Sequence, residues 1–191
     1  MKSCPPVEIE SSQTSDCGPV AFTIGHSTRS FDEFAELLKA HKISLLVDVR
    51  SFPRSRSNPQ FNTDQLPSSL AAQDVEYKHV DGLGGFRRAR PDSKNDGWRN
   101  KSFRGYADYM ETETFSACLE WLLGAIKEHR LALMCAEAVP WRCHRSLIAD
   151  ALLVRGVTVR EISSATKSQP HKMTPFARVD QCSISYPVYE E

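Results

Sequence analysis

LALMC (131–135), AEAVPWRC (136–143) and HRSLIADALLVR (144–155), closed by Gly156, form the stretch that decides the fold. Five consecutive apolar residues read as a strand buried on both faces. The apolar spacing after the loop reads as a helix from about His144 to Arg155 that stops where a glycine supplies the C′ position. Working outward, VAFTI (20–24), SLLVDV (44–49), VEYKHV (75–80) and VTVREI (157–162) repeat the short β-branched or apolar pattern of strands. A helix is predicted from about Phe31 to His41, with Phe31, Phe34, Leu37 and Leu38 on one face and Ser30 with Glu33 matching a capping box. A longer helical region spans 106–128 in two pieces broken near Thr112 or Thr114. Its stripe of Phe115, Cys118, Leu119, Leu122 and Ile126 makes Cys118 a core filler. Strands alternating with helices predict a small three-layer α/β fold, a mainly parallel sheet of about five strands flanked by helices.

The chain has 191 residues, enough for one full core. The expected organisation is a disordered lead-in at 1–18, a single domain at 19–162 and a tail at 163–191 that docks through Phe176, Ile184, Tyr186 and Val188. No apolar run approaches the roughly 18 to 20 residues that span a bilayer, and the first residues carry no apolar signal core. The expected setting is cytoplasmic, with the nucleus as the alternative, and membrane partners are excluded. Six cysteines (4, 17, 118, 135, 143 and 182) in a chain with an ample core read as reduced thiols. Lys+Arg and Asp+Glu balance at 24 each, so any basic function is local.

In an open parallel sheet the ligand crevice lies beyond the carboxyl ends of the strands. This chain places Gly25, His26 and Arg29 after the first strand, Asp48 and Arg50 after the second, and His79 with Gly82, Gly84 and Gly85 after the third. The fourth strand delivers Cys135, Glu137, Arg142, Cys143, His144 and Arg145. A strand-loop-helix turn aims N–H groups and a positive helix end at one spot, which favours anions and thiolates. Cys143, beside the helix start, is the expected thiolate, and Cys135 reads equally well as a core thiol.

Three chemistries fit the loop. In the first, Cys143 or Cys135 is a nucleophile, Glu137 or a histidine the acid/base, and Arg142 and Arg145 anion holders. Six residues separate Cys135 from Arg142, a longer spacing than in the Cys-loop-Arg turn of phosphatases and rhodaneses, and Pro140 removes an N–H from any cradle. In the second, Cys135, Cys143, His144 and either His26 or Glu137 hold zinc or iron, although no CxxC or HxxxH spacing is present. In the third, Cys135 and Cys143 are a redox pair.

The neutral total hides a basic region. From Arg50 to Arg104 there are eleven Lys or Arg against six acids, interleaved with Phe52, Phe61, Phe86, Trp98 and Phe103. Arginines with aromatics suit phosphates and flat bases. Asp48 and Arg50 read either as ligand binders or as a buried pair that organises their loop. His41 and His129, at helix ends, read as structural.

With these residues in hand, the chain resembles the uncharacterised family designated DUF488. The likeness covers roughly residues 20–162 and rests on TIGHST (23–28), LLVDVRSFPRSR (45–56), FRGYADYM (103–110) and CAEAVPWRCHRSLIADAL (135–152). The resemblance implies a small α/β fold with an enzyme-like Cys, Glu, Cys-His-Arg loop. By position it points to His26, Asp48, Arg50, Tyr106, Cys135, Glu137, Cys143, His144 and Arg145.

The expected function is a thiol- or carboxylate-dependent hydrolase or transferase acting on a phosphate-bearing substrate, a nucleotide or nucleic acid. Cys135, Glu137, Cys143 and His144 are the expected catalytic set, and His26, Asp48, Arg50, Tyr106, Arg142 and Arg145 the substrate-binding set. No cofactor is required by this reading, zinc or iron being the alternative. The rival is a non-catalytic nucleic-acid-binding module that depends on Arg87, Arg88 and Trp98. A second alternative is a metal-binding or redox protein.

Overall fold

A computed structural model describes residues 18–188. The elements run β1 (Val20–Gly25), α1 (Phe31–Ala40), β2 (Leu45–Asp48), α2 (Leu66–Ala71), β3 (Glu76–His79), α3 (Lys101–Tyr109), α4 (Glu113–Glu128), β4 (Leu131–Cys135), α5 (Arg145–Leu153), β5 (Thr158–Ser164) and β6 (Lys167–Pro170). A hairpin of β7 (Arg178–Asp180) and β8 (Ser183–Ser185) follows. The sheet order is β3-β2-β4-β1-β5-β6, parallel from β3 to β5, with β6 antiparallel on the edge.

Alternation along each strand builds the three layers. Leu131, Leu133 and Cys135 of β4 pack with α3, α4 and α5, while Ala132 and Met134 face α1 and α2 on the other side. The capping box forms as the sequence predicts: Ser30 Oγ accepts from the Glu33 N–H, and the Glu33 carboxylate accepts from the Ser30 N–H at 2.8 Å. The long helical region breaks at Thr112, whose hydroxyl caps α4. Gly156 takes φ +76° past the end of α5, the left-handed conformation that a glycine stop provides.

From β1 the chain moves toward β2, and from β4 it moves toward β5, although β1 and β4 are neighbours. The connections therefore part between these two strands, and the carboxyl ends of β1 and β4 open into the crevice of a topological switch point. Gly25–His26 and Cys135–Glu137 stand on its two sides.

The sheet continues past residue 162 through β6, and the segment after it docks on α5. Asp150 of α5, fully buried, accepts from Thr174 Oγ1 at 2.6 Å and Tyr186 Oη at 3.0 Å, and pairs with His171 Nε2 at 2.8 Å. Ile184 and Tyr186 are buried as expected, whereas Val188 is exposed. Cys118, Cys135 and Cys143 are free thiols, but Cys182 is disulfide-bonded, which corrects the expectation that every thiol is reduced.

Burial opposes charge on His171, yet its hydrogen bonds to Asp150 and Glu161, with their charges, outweigh that and raise it to about 9. A group whose folded pKa is raised contributes stability that is fully present below its unfolded value near 6.5 and is lost as pH rises through the folded one. Urea unfolding at a series of pH values is therefore expected to show stability falling from about pH 6.5 to 9. His171→Gln flattens that window.

Candidate active site

A cavity of about 440 Å³ opens at the carboxyl end of β4. Its floor is Cys135, Cys143 and His144, and its wall carries Glu137, Arg142 and Arg50. Phe52 and Phe86 stand at its rim, 73% and 78% exposed, with ring centroids 5.6 Å apart, and Phe103 lines the side. A second cavity of similar volume lies across Ala136 and Glu137 and is lined by His26. The chain leaves β4 at Cys135, and both Cys135 and Glu137 face the first cavity.

Close backbone approach sets this corner. The His26 N–H donates to the Cys135 carbonyl and the Ser27 N–H to the Ala136 carbonyl, both at 2.9 Å, which carries the β1–β4 pairing past the strand ends. A Cβ on Gly25 would lie 2.0 Å from the Glu137 carbonyl oxygen. Gly25→Ala is expected to displace the loop and lower stability by about 3 kcal/mol, the upper end of an overpacking penalty, measured by denaturant unfolding.

Sγ of Cys135, Sγ of Cys143 and a ring nitrogen of His144 lie within 4.8 Å of one another. Beneath them Arg145 is 1% exposed. Its Nη2 donates to the Glu137 carbonyl at 2.7 Å, while Nε and Nη1 have no hydrogen-bond acceptor and no carboxylate pairs with it among the described residues. An uncompensated buried cation is expensive, and the adjacent thiols are the groups that can supply negative charge. The hydrogen bond from Cys143 brings the Cys135 thiol down to about 7 against the opposing effect of burial, helped by the Arg145 charge and the N–H groups of Glu137 and Ala136. Cys143 moves the other way: hydrogen bonding to Cys135 and burial hold its proton, although the Arg145 N–H reaches its Sγ at 3.5 Å.

The opposite directions of the two thiols favour Cys135 as the one that ionises first, whereas helix-start proximity pointed to Cys143. The N–H groups that matter most are those at the strand end, and the pair shares one proton. His144 is half-buried, and the desolvation of its ring holds it down at about 4 and neutral. Its Nε2–H donates to the Val49 carbonyl at 2.9 Å, leaving the Nδ1 lone pair 3.7 Å from Cys143 Sγ.

The structure places the other expected residues differently. Arg145 lines neither cavity, so it charges the thiols instead of touching an anion. Asp48 and Arg50 form a buried pair at 2.6 Å; Tyr77 Oη donates to Asp48, and Arg50 also donates to the Phe61 carbonyl at 2.7 Å. The third guanidinium nitrogen meets His26 Nε2 at 3.2 Å. Burial lowers His26 to about 4, so it is neutral there, stacked on Phe61 at 4.2 Å. Tyr106 is wholly buried; its hydroxyl donates to the Leu83 carbonyl and its ring packs 5.0 Å from His144, so it supports the site without entering it.

Two residues of the rival nucleic-acid reading also face inward. Arg87 lies over the Tyr109 ring at 3.9 Å, and Trp98 packs against Phe103, Phe176 and Tyr186. Arg90 pairs with Glu111, and Arg104 donates to the Trp98 carbonyl. Much of the basic region is therefore spent holding its own loop. The local sequence gave no sign of Ser51, Asn100 or Ser102 on the cavity wall, because they arrive from loops whose path is tertiary.

Cys135, Cys143 and His144 could in principle supply three metal ligands. The orphaned guanidinium beside them competes for the same thiolates, and a dication there would face an unneutralised neighbour of like sign.

These features define a three-layer α/β domain with an open, mainly parallel sheet and a paired-thiol cavity at its switch point. A family model described as "Domain of unknown function DUF488" matches residues 30–152, which include the whole thiol loop, and the chain belongs to that family. No curated protein and no solved structure matches the chain. Among the described residues no helix is long and apolar enough to cross a membrane.

Proposed function

We propose that this protein is an enzyme in which the Cys135 thiolate attacks a phosphate-bearing substrate, a nucleotide or a nucleic-acid end. One observation carries the reading: a thiol beside a buried, carboxylate-free Arg145 opens into a cavity shared with Glu137 and Arg142. Phe52 and Phe86, exposed as a pair at the rim, offer stacking surface for a base. Arg142, also exposed, supplies the cation for the phosphate.

In the step this geometry supports, Cys135 Sγ forms a bond to phosphorus as the bond to the leaving oxygen breaks. Glu137 delivers the proton that the leaving oxygen takes. Water then attacks phosphorus, Glu137 takes its proton, and Cys135 leaves as the thiolate. Arg145 keeps that thiolate a good nucleophile and leaving group, and the shared proton on Cys143 stays in place.

The test is a panel of nucleoside mono-, di- and triphosphates and 5′-phosphorylated oligonucleotides, scored for turnover and for binding by calorimetry. Cys135→Ser is expected to abolish turnover and retain binding, Glu137→Gln to slow turnover about 100-fold, and Arg142→Ala to weaken binding about tenfold. Turnover that survives Cys135→Ser, Cys143→Ser and Glu137→Gln would sink the assignment. Salt-sensitive binding without turnover, lost on Phe52→Ala and Phe86→Ala but not on Cys135→Ser, would establish a binding module instead.

A further inference from the structure

The nucleophile reading uses one thiol, yet two converge. Cys143 is buried beside Cys135, takes no part in the hydrolytic step, and presents its Sγ between Cys135, the Arg145 N–H and His144 Nδ1. The two cysteines sit on the end of β4 and the residues just before α5, so each backbone is anchored while the loop between them lies on the surface. A disulfide needs sulfurs at about 2.05 Å, and the two sulfurs already stand within 4.8 Å of each other.

We propose that Cys135 and Cys143 are an oxidation pair: a hydroperoxide entering the cavity oxidises Cys135, and Cys143 resolves the product as a disulfide that shuts the site. The proposal rests on Cys135 being the thiolate. Its sulfur attacks the terminal oxygen of the hydroperoxide, the O–O bond breaks, and hydroxide or alkoxide leaves, giving a sulfenic acid at Cys135. The Cys143 proton passes to His144 Nδ1, whose lone pair is free for it because Nε2–H is committed to the Val49 carbonyl. Cys143 Sγ then attacks Cys135 Sγ, the S–S bond forms, and the sulfenic oxygen leaves as hydroxide, which takes the proton back as water. The two thiols lose two electrons and the O–O bond gains them. A small dithiol reductant restores the pair.

Cys118 is the internal control. It packs against Gly82 and does not line this cavity, and burial pushes its thiol up, so it reacts later.

The experiment treats the full-length protein with one equivalent of hydrogen peroxide, blocks free thiols and maps tryptic peptides without reduction. Trypsin cuts after Arg142, so Cys135 and Cys143 fall on different peptides and their crosslink is unambiguous. The expected first product is the Cys135–Cys143 crosslink, reversed by dithiothreitol, with neutral-pH alkylation of Cys135 reduced about tenfold while it persists. Cys143→Ser is expected to stop at a Cys135 sulfenic acid that dimedone captures. Oxidation of Cys118 before Cys135, or Cys135 sulfinic acid in the wild-type protein without the crosslink, overturns the proposal and leaves the nucleophile reading intact. Cys135 inert to both peroxide and neutral-pH alkylation removes both.

Discussion

Arg50→Ala is expected to lower the free energy of unfolding by about 3 to 5 kcal/mol, because it strands Asp48 in the interior with a charge and no cation. Asp48 is fully buried at the end of β2, and the Arg50 guanidinium contacts both its oxygens. Tyr77 would remain as its single side-chain donor. The same guanidinium holds the Phe61 carbonyl and meets His26, so the loop at 50–63 and the β1 corner lose their common anchor. Thermal melting should move down by roughly 10 °C, at a few degrees per kcal/mol for a chain of this size. The paired replacement Asp48→Leu with Arg50→Met removes both charges and should recover most of the loss. If Arg50→Ala costs under about 1 kcal/mol, the pair does not organise the loop.

Arg145→Met is expected to act on chemistry with little effect on folding. It exchanges a buried cation that has one hydrogen bond for an apolar chain of similar length, a change that is often neutral or stabilising. Without that charge the Cys135 thiol keeps its largest support, the hydrogen bond from Cys143, but loses that of Arg145, so its midpoint should rise above its value near 7. Alkylation of Cys135 at pH 7 should then slow by up to about 10-fold, whereas the rates converge above about pH 10, where both proteins are thiolate. An unchanged profile with a folded protein would mean that Arg145 is not the counter-charge.

Pattern made the five parallel strands legible, because β1, β2 and β4 are short and apolar while β3 and β5 set β-branched or aromatic residues among polar ones, and capping chemistry made α1 legible through Ser30 and Glu33. It missed α2, whose six residues LPSSLA begin with a proline-led turn and complete less than two helical turns. It missed β6 because KSQP is polar and proline-bearing; an edge strand pairs through its backbone and shows no apolar alternation. The docking of the last segment turns on Asp150, His171, Thr174 and Tyr186, whose separation along the chain leaves no local signal.

The position of the site was legible from the strand-end rule, and its electrostatics only partly so. Helix-start proximity favoured Cys143, whereas the strand-end N–H groups of Ala136 and Glu137 and the shared proton favour Cys135, a distinction of a few ångströms. Arginines could be counted in the sequence, but their partners could not. Arg50, Arg87 and Arg104 are engaged within the fold, so of the two arginines on the cavity wall, Arg50 is committed to Asp48 and Arg142 is exposed.

Cys135 at the β1–β4 crevice ionises near neutrality because the Cys143 hydrogen bond, and then the Arg145 charge, favour its thiolate. The most direct measurement is site-resolved alkylation with iodoacetamide across pH 5 to 9, with the peptides bearing Cys118, Cys135 and Cys143 quantified separately. Half-maximal labelling of Cys135 near pH 7, with Cys118 and Cys143 responding only at higher pH, is the predicted result. Labelling of Cys143 ahead of Cys135, or of neither below pH 9, would contradict it.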